Sequence, residues 1–104
     1  MNAKTEFLDF CNDKSRVKCA SLHFGKDYGD NEIDYINLKT FYSQKGYEDF
    51  LTKLDIKYDN GFGGQNLFGT IWFEDETWAG RGEYDGSEWW EYYKCPDIPS
   101  ELKR

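Results

Sequence analysis

The chain has 104 residues, a formal charge of −7, a pI near 4.6 and 19% aromatic residues; that length fits one domain. So many rings exclude a disordered tail, because chains that stay unfolded are poor in aromatics. The acidity works against a direct grip on nucleic acid, which needs Lys and Arg against phosphates, and against an anionic membrane surface.

In chain order, residues 3–13 carry Phe7, Phe10 and Cys11 at helical spacing and predict a short helix. Val17 to Phe24 predicts a strand, with Ala20, Leu22 and Phe24 alternating. Residues 26–31, around Gly29, predict a loop, and Ile33 to Thr40 a second strand that returns as a hairpin. Tyr47, Phe50, Leu51 and Leu54 fall at i, i+3, i+4 and i+7 and predict a helix over 44–55. Residues 59–66 are rich in breakers and predict a loop. Leu67 to Phe73, Trp78 to Tyr84 and Glu88 to Cys95 then predict a meander, with a tight hairpin turn at Asp85-Gly86 and a stop at Pro96. Helix, two strands, helix and three strands make an α+β fold in one domain, 1–104. An antiparallel sheet with helices packed on one face is expected.

The turns set an expected register. A two-residue turn at Asp85-Gly86 puts Tyr84 opposite Ser87, Glu83 opposite Glu88, Gly82 opposite Trp89 and Arg81 opposite Trp90. A two-residue turn at Asp75-Glu76 puts Phe73 opposite Trp78, Trp72 opposite Ala79 and Thr70 opposite Arg81. Side chains alternate between faces, so Leu67, Ile71, Phe73, Trp78, Tyr84, Trp89 and Tyr93 are expected against the second helix. Gly80 and Gly82 leave room there for Trp89 to lie across the strand. Glu91 falls on the same face, against its apolar character. Phe68, Thr70, Trp72, Arg81, Glu83, Glu88, Trp90 and Tyr92 are expected on the exposed face. A slip of one residue would exchange the two.

That exposed face is the expected binding surface, since rings grouped with Arg and carboxylates compose an interaction patch. Trp72, Trp90 and Tyr92 would anchor, and Arg81 would stack on Trp90. Glu83 opposite Glu88 sets like charges together, which a partner's Lys or Arg would relieve. Glu74, Asp75 and Glu76 would join them in steering the encounter. Between Glu74 and Glu101 stand nine acids and two bases, a net of −7, so the rest of the chain sums to zero. The acidic character therefore belongs to the meander, which also carries all four tryptophans. The expected partner is a basic protein surface; the plainer reading is that the charge keeps an aromatic protein soluble.

Catalytic, metal and cofactor chemistry is not expected. Cys11, Cys19 and Cys95 are odd in number and contain no Cys-x-x-Cys, and His23 alone cannot complete a zinc set. The thiols read as small buried hydrophobes in a reducing cytosol, and no apolar signal segment or 18-residue apolar run is present. No nucleophile elbow occurs, and the Gly61-Phe62-Gly63-Gly64 loop lacks the Lys of a phosphate cradle. Glu83 and Glu88 have no evident pocket to act as an acid/base pair.

The run Tyr58-Asp59-Asn60-Gly61-Phe62-Gly63-Gly64-Gln65-Asn66-Leu67-Phe68-Gly69-Thr70-Ile71-Trp72, then Glu83-Tyr84-Asp85-Gly86-Ser87-Glu88-Trp89-Trp90 and Pro96-Asp97-Ile98-Pro99, resembles small accessory proteins carried by bacteriophages and prophages. The resemblance implies a class, some of whose members inhibit host defence or host enzymes by presenting an acidic surface. It carries no defined activity and no functional residue. The expected function is therefore a phage-type protein that binds and inhibits a host protein in the bacterial cytosol, such as a defence or nucleic-acid-handling factor. A small-ligand or glycan binder using the same rings, and a small enzyme, are the alternatives.

Overall fold

The computed structural model describes residues 2–25, 35–58, 66–84 and 87–94. Two helices and five strands follow the expected order: α1 (Ala3–Cys11), β1 (Val17–Phe24), β2 (Tyr35–Leu38), α2 (Gln44–Leu54), β3 (Leu67–Phe73), β4 (Trp78–Tyr84) and β5 (Ser87–Tyr93). The fold is α+β, with one antiparallel sheet in the order β2-β1-β3-β4-β5.

Both helices begin at side-chain caps, which satisfy amide groups that a first turn leaves orphaned. Ser43 Oγ accepts the Gly46 N–H at 3.0 Å and starts α2. Asn2 accepts the Thr5 N–H at 3.1 Å and starts α1; its amide also donates to Asp55 Oδ1 at 2.7 Å, tying α1 to the end of α2. Asn2→Ala removes both bonds and is expected to cost about 1–2 kcal/mol in urea unfolding. A loss below about 0.5 kcal/mol would show that water replaces the cap.

Alternation in the strands selects one face for the core. Ala20, Leu22, Ile36, Leu38, Leu67, Ile71, Phe73, Ala79 and Trp90 form a single buried cluster with Ala3, Phe7, Phe50 and Leu54 of the helices. Phe7 meets Phe50 edge-on at 5.3 Å, and Phe10 lies 6.4 Å from Phe73 and 6.3 Å from Trp90. Val17 and Ala20 are both buried although three positions apart. A bulge between Val17 and Cys19 absorbs the extra residue and brings both to the inner face.

The connection from β3 to β4 is one residue longer than expected, and this corrects the assignment of faces. Thr70 pairs with Gly80, Ile71 with Ala79 and Trp72 with Trp78. Phe73 N–H donates to the Thr77 carbonyl at 2.9 Å, and Glu76 N–H donates back to the Phe73 carbonyl at 3.2 Å. The loop is thus Glu74-Asp75-Glu76, with Glu76 in the left-handed region (φ 71°), a common three-residue hairpin form. Asp75 Oδ1 supports it by accepting the Thr77 N–H at 3.1 Å. The β4–β5 register is as expected, including Glu83 opposite Glu88 and Arg81 opposite Trp90. Because side chains alternate with period two, the single extra loop residue turns all of β4 and β5 over relative to β3. Trp78, Tyr84, Trp89 and Tyr93 leave the expected core for the outer face. Arg81, Glu88 and Trp90 enter the core.

Cys11 and Cys19 are free and half-buried rather than buried, and burial pushes the Cys11 thiol up to about 12. Cys95, the Asp85-Gly86 turn, Pro96, the loop at 26–31 and most of the loop at 59–66 lie outside the described residues. No helix among the described residues is long and apolar enough to cross a membrane.

Candidate functional site

Two groupings of chemistry-bearing residues emerge, one on each face of the sheet. On the inner face a buried ionic cluster joins α1 to β4 and β5. The Arg81 side chain, 2% exposed, donates from Nη1 to Glu6 Oε2 at 2.8 Å and from Nη2 to Glu88 Oε1 at 2.7 Å. Nη2 also reaches the Tyr58 hydroxyl at 2.9 Å, and that hydroxyl donates to Glu6 Oε1. Glu88 is fully buried at its side chain. It accepts the Asn66 N–H at 2.7 Å and the Leu67 N–H at 2.9 Å, so it also holds the start of β3. Burial pulls the Arg81 guanidinium down, but the hydrogen bonds it donates to Glu6 and Glu88 outweigh that and hold it above its ordinary value. Burial, then the bond to Glu6, pushes the Tyr58 phenol above its usual range. Arg81 stacks over Trp90 at 4.9 Å. Among the described residues Arg81 Nε and Trp90 Nε1 find no acceptor. The cluster carries one net negative charge and faces the core, which makes it a structural clamp.

The outer face is built in rows that run across the strands. One row places Tyr35, His23 and Phe68 side by side; His23 stacks on Phe68 at 5.2 Å and meets Tyr35 edge-on at 5.1 Å. The next places Asn37, Ser21, Thr70, Gly80 and Glu91, with Ser21 Oγ donating to Asn37 Oδ1 at 2.7 Å. The third places Cys19, Trp72, Trp78 and Tyr93, the last two stacked at 4.4 Å. Beyond Glu91 on the other side, Trp89 lies over Gly82, as the absence of a side chain there allows. A Cβ on Gly82 would stand 2.5 Å from Trp89 Nε1. The result is a floor of small and polar groups between two lines of rings. Trp72, Trp78, Trp89 and Tyr93 remain 43%, 40%, 38% and 37% exposed, which is a large apolar offering for a surface.

Glu91 is the carboxylate at the β5 end of this floor. Trp89 Nε1 donates to its Oε1 at 3.0 Å and the Tyr93 hydroxyl donates to its Oε2. The Tyr93 hydrogen bond first, then that of Trp89, holds the Glu91 carboxyl below the usual carboxylate value. The residue that fitted poorly in an apolar core is therefore an ionised group framed by rings on the open side.

The expected site residues divide accordingly. Trp72 stands on the outer face. Glu74, Asp75 and Glu76 form the exposed β3–β4 loop, and Glu83 is exposed near the end of β4. Tyr92 sits on the inner side at the margin, against Phe10 and Phe73, with its hydroxyl donating to Thr77 Oγ1 at 2.9 Å. Arg81, Glu88 and Trp90 are buried and do not belong to a surface. The expected stacking of Arg81 on Trp90 is present, inside the protein. The residues missed are Trp78, Trp89, Glu91 and Tyr93. Their mutual spacing on β4 and β5 was readable, but the side they face depended on the β3–β4 loop.

A separate cleft of about 680 Å³ lies between the ends of β1, β2 and α2, lined in part by Phe24, Tyr35, Ile36, Lys53 and Tyr58. Among the described residues no three His, Cys, Asp or Glu side chains gather as a metal site. Comparison with known proteins finds no matching family model, no similar curated protein and no similar solved structure.

Proposed function

We propose that this protein is a binding protein that docks the outer, ring-lined face of its sheet on a basic surface of another protein. The observation that carries the reading is the exposed set Trp72, Trp78, Trp89 and Tyr93 around the ionised Glu91. Trp and Tyr supply most hot-spot energy at interfaces, and the net charge of −7 steers cationic partners. The resemblance to phage accessory proteins makes a host defence or nucleic-acid-handling protein the partner class, with inhibition as the consequence of docking.

The test is capture from bacterial lysate at low and high salt, beside the double variant Trp72→Ala/Trp78→Ala. One stoichiometric basic partner is expected, weaker at high salt, with Kd raised at least about 30-fold in the variant. Circular dichroism of the variant should match the parent, because both rings lie outside the core. A partner retained by the folded variant, or indifferent to salt, would overturn the reading.

The small and polar floor between two lines of rings also suits a sugar, which stacks on rings while hydrogen-bonding at its edges. Saturable quenching of tryptophan fluorescence by one member of a glycan panel, with no protein captured, would favour that reading.

A further inference from the structure

We propose that Glu91, framed by Trp89 and Tyr93, is the receptor for an arginine side chain of the protein partner. This rests on the docking reading above and names the chemistry at one point of the interface.

Three features of the structure argue for it. First, the carboxylate is fixed before any partner arrives. Each oxygen of Glu91 already accepts one hydrogen bond, from Trp89 Nε1 and from the Tyr93 hydroxyl. Each keeps a further lone pair, so the pair can still receive a forked donor. Second, the surroundings are rings. Trp89 stands on one side, and Tyr93 stacked on Trp78 at 4.4 Å stands on the other. Rings attract a cation through their faces, and a planar guanidinium can stack on them where an ammonium cannot. Third, β4 presents glycine at the two positions nearest Glu91, so the frame lies close on the strand. Gly80 pairs with Glu91 beneath the ring edges of Trp78 and Tyr93, and a Cβ on Gly82 would lie 2.9 Å from Glu91 Cδ. A fork of N–H donors that matches a carboxylate bidentately, plus a planar face that matches the rings, is the chemistry of arginine.

The inner-face cluster gives an internal comparison. There Arg81 meets carboxylates with Nη1 and Nη2 while its guanidinium carbon lies over the Trp90 ring at 4.9 Å. The outer face offers the same ingredients, carboxylate and indole, with the arginine left to the partner.

The experiment titrates isotope-labelled protein with an acetylated, amidated Gly-Arg-Gly peptide and follows the indole N–H resonances. The Trp89 indole, which donates to Glu91, should move saturably. The same peptide with lysine should bind several-fold more weakly, and with citrulline, the neutral isostere, should leave Trp89 in place. Glu91→Gln should weaken the arginine peptide about tenfold while the Trp72 indole resonance of the folded variant keeps its position. Equal response to citrulline and arginine, or undiminished binding by Glu91→Gln, would overturn the inference. An unmoved Trp89 beside a captured partner that still depends on Trp72 and Trp78 would defeat the arginine receptor alone and leave the docking face standing.

Discussion

Replacing Arg81 by methionine is expected to cost about 3–5 kcal/mol of stability, the loss seen when one partner of a buried ion pair is removed. Methionine fills much of the volume, so lost packing is minor. The loss comes from the two carboxylates left behind. Glu88 has a fully buried side chain and Glu6 a nearly buried one, and Arg81 bridges both at 2.7 and 2.8 Å. Domains of this size hold about 5–15 kcal/mol in total, so the variant would keep little margin. Arg81→Lys should recover only part of the loss, because a single ammonium cannot repeat the fork that spans two carboxylates and the Tyr58 hydroxyl. Urea unfolding followed by tryptophan fluorescence measures both. A loss below about 1 kcal/mol for Arg81→Met would mean that the cluster is hydrated in solution and contributes as a surface pair does. The consequence reaches the binding face. Arg81 and Glu88 hold β4 and β5 to α1, and those two strands carry Trp78, Trp89, Glu91 and Tyr93 on their other side.

Gly69→Ala is expected to be comparably severe, at about 3 kcal/mol or more, with failure to fold in the cell as the extreme. Gly69 has φ 149°, a conformation that L side chains rarely adopt. A Cβ there would stand 2.5 Å from the Ser21 carbonyl oxygen and 2.8 Å from the Leu22 Cα. Both obstacles are backbone, so no rotamer change can relieve them. Gly69 pairs with Leu22, inside the β1–β3 ladder that joins the two halves of the chain. The substitution would therefore push β3 off β1 where Leu22, Leu67 and Ile71 are buried. Thermal unfolding gives the result directly, with Gly46→Ala in α2 as a comparison: its nearest neighbour would be the capping Ser43 hydroxyl at 3.3 Å, a side-chain atom that need shift only by a few tenths of an ångström. A loss below about 1 kcal/mol at Gly69 would show that β1 and β3 can separate locally without harm.

What could be read from the residues alone was whatever local spacing and turn chemistry decide. Helical spacing gave α2 its limits nearly to the residue, and the two-residue Asp85-Gly86 connection set every β4–β5 pair from Tyr84 opposite Ser87 to Arg81 opposite Trp90. Trp89 lying over Gly82 followed from the same register. The antiparallel return of β2 on β1 was equally legible. The pairing of β1 with β3 was not, because nothing local marks two strands that meet across an intervening helix.

The faces of β4 and β5 were decided by tertiary structure through one loop residue. Two or three residues in the β3–β4 turn were both compatible with the local sequence, and they give opposite faces. Hydrophobicity favoured the wrong choice, since it sent Trp78, Trp89 and Tyr93 inward and Arg81 and Glu88 outward. The fold accepts the reverse because α1 brings Glu6, 75 positions away from Arg81, to a second guanidinium nitrogen, while the Asn66 and Leu67 amides reach Glu88, so the buried charges are hydrogen-bonded. A buried charge is tolerated only when it is paired and hydrogen-bonded, and with Arg81 paired in the core the rings and Glu91 are left on the outside.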